Sequence, residues 1–335
     1  MTSQASPGGA LGGPTTSAPP IIALEHVERL FSKDSGVFDL TFEVPAGTIF
    51  GLIGPSGCGK TTTMRLLTGL YKPDRGSLSV LGEAPTKFHT RTRERIGYMP
   101  QQFVLYPNLT VSENLSFAAS LYGLGFLRRR RRMKAMLDFV ELTQERRRLG
   151  AQLSGGMQRR LGLAAALVHD PQVLFADEPT AGVDPVLRGK FWDQFRLLRD
   201  QGRTLFITTQ YVSEAAYCDV VAIMRAGRVI VIDTPEGLRR KALGGEVIKL
   251  LVNLAQLQQA QQLLLQQDFV GDVRRSREQP GLLLVHVDDA AKRLPGIVSL
   301  MSQVNHIGVE QAEKYVPPFD DVFITLMEQA GANNA

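Results

Sequence analysis

Nine consecutive residues carry the most explicit chemistry in the chain: Gly54-Pro55-Ser56-Gly57-Cys58-Gly59-Lys60-Thr61-Thr62. An apolar run from Thr48 to Ile53 precedes them and reads as a buried strand. Met64-Arg65-Leu66-Leu67 follows and reads as the start of a helix. Strand, glycine-rich loop, Lys-Thr and helix form a P-loop, the arrangement that cradles phosphate. Glycines let the backbone wrap closely, with N–H groups aimed at phosphate oxygens. The helix behind them adds its positive end, roughly half a unit charge. Lys60 reads as the cation bridging β- and γ-phosphates, Thr61 as a hydroxyl ligand for Mg²⁺, and Thr62 as a partner for a phosphate oxygen. A glycine-rich turn that merely ends in Lys-Thr is the competing reading, and the flanking strand and helix weigh against it.

Two further apolar strands end in polar residues. Val173 to Ala176 runs into Asp177-Glu178-Pro179, and Thr204 to Thr209 ends at Gln210. Ligands of open parallel α/β sheets gather at the carboxyl ends of strands. Lys60, Asp177, Glu178 and Gln210 are therefore expected to converge although they lie far apart in sequence.

The elements that would position these residues can be read in outline. Residues 1–20 are mostly Gly, Ala, Pro, Ser and Thr with almost no charge, and are predicted to be disordered. Ile21 to Val27 and Gly36 to Val44 read as strands around a turn at Lys33-Asp34-Ser35-Gly36, and Ser77 to Leu81 as another. Ile96 to Met99 reads as a strand ending at Pro100-Gln101. Residues 108–150 read as a helical insertion broken at Gly123 and Gly125. Leu153-Ser154-Gly155-Gly156-Met157-Gln158 opens a helix for which Ser154 is a suitable N-cap. Val220 to Met224 and Arg228 to Ile232 pair as a hairpin. Beyond about residue 240 the order is strand, helix, strand, strand, helix, strand, then a last helix from Asp320 to Gln329. This βαββαβ order suggests a small ferredoxin-like α+β domain. The expected division is a tail over 1–20, an ATP-binding domain over 21–240, and an accessory domain over 241–335.

Composition bounds the rest. The 335 residues suffice for two domains, and 44% hydrophobic content supports a core. The longest apolar run, Leu161 to Val168, is too short to span a bilayer, and the first residues lack the pattern of a signal peptide. A cytosolic protein is expected. Two cysteines make no zinc or disulfide pattern. Net charge is +5, and the densest basic run is Arg128 to Arg132. It leads into the apolar stripe Met133, Met136, Leu137 and Val140, so it reads first as the solvated face of an amphipathic helix. Lipid proximity is the second reading.

Together these motifs resemble the ATP-binding subunit of an ABC transporter over residues 21–240. Gly54 to Thr61 matches Walker A, Gln101 the Q-loop glutamine, Leu153 to Gln158 the family signature, Val173 to Glu178 Walker B, and Ala181-Gly182-Val183-Asp184 the D-loop. Singly, Asp177-Glu178 fits a solvated strand end, Gln101 a loop amide and Ser154 a plain helix cap; their joint order favours the family. The fold implied is a P-loop NTPase of ABC ATPase type, a mixed sheet with a helical insertion. The resemblance implies that Phe31 stacks on adenine, that Asp177, Thr61 and Gln101 hold Mg²⁺, and that Glu178 is the general base. It further implies that Ser154, Gly155, Gly156 and Gln158 face ATP held by a second subunit, with Asp184 crossing that interface.

Gln210 stands where the family usually has histidine. With the tail Pro317-Pro318-Phe319-Asp320-Asp321-Val322-Phe323, it resembles the drug-resistance exporter branch. The implied partners are a second ATP-binding subunit, as a homodimer, and a separate multi-span permease holding the chain at the inner face of the membrane. Nucleic acid is not expected. The alternative is a non-transport ABC ATPase acting on ribosomes or DNA. Such proteins usually carry two cassettes or a long coiled-coil insertion, and neither is seen.

Overall fold

A computed structural model describes residues 19–32, 35–102, 106–276, 279–304 and 306–332. Most of the tail predicted to be disordered, and Lys33 and Asp34 of the predicted turn, lie outside the described residues. The chain divides into two compact units, Met1–Asp233 and Thr234–Ala335.

The first unit runs β1 (Ile22–Ser32), β2 (Ser35–Val44), β3 (Ile49–Ile53), α1 (Lys60–Leu67), β4 (Arg75–Val80), α2 (Thr90–Arg93), β5 (Ile96–Met99), α3 (Val111–Leu121), α4 (Phe126–Phe139), α5 (Gly155–Leu167), β6 (Val173–Asp177), α6 (Pro185–Asp200), β7 (Thr204–Thr209), β8 (Val220–Arg225) and β9 (Arg228–Asp233). Its larger sheet has the order β5-β6-β7-β3-β8-β9. The first five strands are parallel, and β9 returns antiparallel to β8. That return turns at Ala226 and Gly227, both at positive φ (46° and 79°), as tight hairpins require. The smaller sheet, β2-β1-β4, is antiparallel.

Every residue of β3, β6 and β7 is buried. That is why they are continuous apolar runs rather than alternating ones. Stacked rings join the two sheets. Phe42 of β2 lies 5.3 Å from Phe50 of β3, which lies 5.2 Å from Phe206 of β7. Truncating one such ring to alanine costs about 3–5 kcal/mol.

The helical insertion is shaped by its ends. Thr110 caps α3 in a reciprocal box: its hydroxyl accepts from the Glu113 amide, and the Glu113 carboxylate accepts from the Thr110 amide at 2.7 Å. Gly123, at φ 65°, follows the end of α3. Both α3 and α4 pack on α5. Arg132 of α4 donates to the carbonyls of Val168 and Leu167, satisfying the end of α5.

The second unit runs α7 (Pro235–Leu243), β10 (Glu246–Val252), α8 (Leu257–Leu265), β11 (Val270–Arg275), β12 (Leu282–Val287), α9 (Ala290–Ser299), β13 (Val309–Tyr315) and α10 (Phe319–Ala332). From β10 to β13 the order is βαββαβ, and the sheet order β11-β12-β10-β13 is antiparallel throughout. This is the ferredoxin-like arrangement. Ile248, Leu250, Leu283, Val285 and Ile297 form its core. The unit begins at Thr234, ahead of the expected boundary at 240, because α7 packs with α10. Among the described residues, no helix is long and apolar enough to cross a membrane.

Candidate active site

The phosphate loop is built against its neighbours. Gly54 donates its N–H to the Thr209 carbonyl at 3.4 Å. A Cβ on Gly54 would fall 2.2 Å from the Met224 carbonyl oxygen, so only glycine fits. Gly59, at φ 112°, caps α1 without a side chain. Thr63 donates to the Gly59 carbonyl at 2.9 Å and the Lys60 amide to the Cys58 sulfur, whereas the backbone N–H groups of Gly57, Gly59, Thr61 and Thr62 find no acceptor among the described residues. Unpaired amides at a helix N-terminus form an anion site. Ser56 is exposed and Cys58 buried. Burial pushes the Cys58 thiol up, so it packs as a neutral small residue.

Lys60 is buried, and its Nζ donates to the carbonyls of Gly54 (2.9 Å) and Pro55 (3.0 Å). The same nitrogen lies 3.4 Å from Glu178 Oε1. Asp177, the last residue of β6, accepts from Thr208 Oγ1 at 2.5 Å and from Thr61 Oγ1 at 3.4 Å. Glu178 adopts a left-handed backbone, φ 46°. Its amide donates to both the carbonyl and the hydroxyl oxygen of Thr208, each at 3.1 Å. Gln101 Nε2 donates to Glu178 Oε2 at 2.9 Å, and the Gln101 carbonyl accepts from Arg159. These residues meet because β5, β6, β7 and β3 are consecutive in the sheet.

Other expected residues make no hydrogen bond to this cluster among the described residues. Gln210 is exposed just past β7 and makes no hydrogen bond among the described residues. Phe31 is 51% exposed, lies edge-on to Tyr71 at 5.6 Å, and has the Arg29 guanidinium 5.6 Å from its ring. Ser154 caps α5 by accepting from the Met157 amide at 3.3 Å, and Gln158 Nε2 donates to the Leu153 carbonyl. Gly155 has open space around it. A Cβ on Gly156 would meet Leu187 at 2.6 Å. Asp184 caps α6, accepting from the amides of Val186 and Leu187.

Sequence reasoning misses three residues of this region. Thr208 positions both acids, Arg159 holds the Gln101 loop, and buried Glu214 accepts from Thr180 Oγ1 at 2.7 Å. The one available signal is threonine near the end of an otherwise apolar strand.

The donor set also suits a hard divalent cation. Thr61 and Asp177 place two oxygens side by side, and Gln101 carries its side-chain amide to the neighbouring Glu178.

Residues 37–181 match the family described as ABC transporter. The chain is 39% identical over 238 residues to the Nod factor export ATP-binding protein I of Ralstonia nicotianae, covering 71% of this chain and 74% of that relative. It is 35% identical over 234 residues to the linearmycin resistance ATP-binding protein LnrL of Bacillus subtilis, covering 70% and 75%. It is similar, at TM-score 0.58 and 25% identity, to the ATP-binding cassette MJ0796 in a dimeric post-hydrolysis state bound to ADP and Pi. That match covers 64% of this chain and 98% of the other. A P-loop fold of this topology, together with relatives of this identity and coverage, means that the chain belongs to the ABC transporter family as an ATP-binding ATPase.

Proposed function

We propose that the chain is the motor subunit of an exporter. Two copies close head to tail around two ATP molecules, hydrolysis reopens them, and the movement drives a separate membrane-spanning permease. The chain would then sit at the inner face of the membrane through that permease, docked near Gln101 and the insertion over 108–150. The names of the relatives, export and drug resistance, favour export.

The observation that carries the catalytic part is the convergence of Lys60, Glu178 and Gln101 beside the Thr61–Asp177 pair. The loop amides from Gly54 to Thr62 would bind the phosphates, and Phe31 would offer a face to adenine. Mg²⁺, held by Thr61, Asp177 and Gln101, would offset the charge on the β- and γ-phosphates. An incoming phosphate competes with Glu178 for the Lys60 ammonium. The freed carboxylate can accept the proton of the attacking water. Gln101 then loses its partner and can shift, which would report nucleotide state to the docking surface. Ser154, Gly155, Gly156 and Gln158 would meet the ATP of the other copy, with Asp184 between the sites. Gln210 would sense the γ-phosphate as a neutral donor.

The test is Glu178→Gln. It should lower ATP turnover by about 10²–10⁴-fold and trap an ATP-bound dimer on size-exclusion chromatography. Turnover equal to wild type would remove Glu178 from the reaction. A stoichiometric multi-span protein recovered with tagged chain from solubilised membranes would support the permease.

A further inference from the structure

The run Arg128 to Arg132 does not act as one unit. Arg132 faces α5 and Asp170, and Arg128 lies on the same side, one helical turn away. The other face of α4 lines a cavity of about 1150 Å³ between α3, α4 and the turn after α4. Six cations line it: Arg129, Arg130, Arg131, Lys134, Arg146 and Arg147. None of the six has a carboxylate partner among the described residues. One carboxylate, Glu113, lies in the wall, and it is occupied by the Thr110 cap, whose hydrogen bonds hold it below the usual carboxylate range. The Thr143 hydroxyl donates to Asp138, and those of Ser112 and Ser116 remain as donors suited to an anion. At the same wall Phe126 and Leu127 stand 68% and 80% exposed.

Separate anions would use the cations but would leave this apolar pair in water. A phosphate-bearing amphiphile uses both: arginine forks bind the headgroup oxygens, and Phe126 and Leu127 enter the acyl boundary. We propose that the α3–α4 cavity is a binding site for anionic phospholipid headgroups, by which the insertion contacts the membrane surface directly. This contact is independent of the permease and of nucleotide, and so does not rest on the motor reading.

The experiment is cosedimentation of purified full chain, without nucleotide, with vesicles of phosphatidylcholine and with vesicles of equal parts phosphatidylcholine and phosphatidylglycerol. Binding is expected to the anionic vesicles alone, and to fall at high salt as the Debye length shrinks from about 10 Å at 0.1 M to about 3 Å at 1 M. The triple variant Arg130→Glu, Arg131→Glu, Arg146→Glu should bind at least about tenfold more weakly, since each cation near an anionic surface contributes separately. The pair Phe126→Ser, Leu127→Ser should weaken binding while keeping its salt dependence. Unchanged ATP turnover and melting temperature in the variants would show that they fold. No preference for anionic vesicles would overturn the proposal. So would full release of the protein by inorganic phosphate at unchanged ionic strength, which would make the ligand free phosphate. Loss of permease association in the triple variant, with no vesicle binding in the parent, would assign the cavity to an acidic segment of the permease.

Discussion

The phosphate loop and the signature turn are two glycine-rich turns, each opening a helix, and they solve the same problem oppositely. At α1 the cap is Gly59, which has no side chain to offer, and the amides of Thr61 and Thr62 behind it find no acceptor among the described residues. At α5 the cap is Ser154, whose hydroxyl already accepts from Met157, and Gly155 beside it is exposed, with open space where a Cβ would stand. The first turn is backed by β3, β8 and the acids of β6, and its cation already has a counter-charge. At the second, residues 154–158 make no ion pair among the described residues. A helix N-terminus therefore becomes a finished anion site only where the surrounding fold supplies the other half.

The largest expected effect falls on the turn that has its counter-charges. Glu178→Gln should remove about two to four decades of turnover, measured as phosphate release, while Ser154→Ala should leave ATP binding by a single copy intact. If both variants lost nucleotide binding alike, the contrast would collapse. Next comes Lys60→Met. Breaking a buried pair costs about 3–5 kcal/mol, read by urea unfolding, and adding Glu178→Gln should recover part of it. Additive losses would mean that the 3.4 Å approach contributes no coupling.

The third effect is a pH dependence on the signature side. His169, which follows α5, stacks on Tyr122 at 3.5 Å and bonds the Ile96 carbonyl. Burial lowers its pKa from 6.5 to about 4. The folded state thus resists protonation that the unfolded chain accepts. Stability is complete above pH 6.5 and is lost as pH falls from there toward 4, by about 3 kcal/mol at most. His169→Gln should flatten that slope in unfolding titrations. The smallest effect is Asp184→Ala, whose lost cap should lower stability by about 1 kcal/mol. A larger fall in turnover of the assembled dimer would show that Asp184 acts beyond its helix.

Much of this is legible in the sequence. The three reactive strand ends are written as apolar runs followed by polar residues, and the order of β10 to β13 points to the second unit's fold. The contact between Gln101 and Glu178 is not legible, because it depends on β5 lying beside β6 across many intervening residues. Helix α6 has no counterpart among the sequence expectations, although Asp184-Pro185 is a helix start and Phe191, Phe195 and Leu198 repeat on one face. Reading Asp184 for chemistry alone hides the helix it opens, and one residue can cap a helix and face an interface. Gln210 is expected at the reactive strand ends, and there it is exposed, directly after the Thr208 and Thr209 that contact the acids and the phosphate loop.

Arg132 is one of five identical neighbours, yet it alone donates to the last carbonyls of α5. Each residue added to a helix rotates all later side chains by about 100°. Inserting or deleting a single arginine would barely change the composition of the run, but would swing a different side chain onto those carbonyls and carry an apolar residue toward water. The stretch looks like a tolerant repeat. It behaves as a phased one, in which counting residues matters more than identifying them.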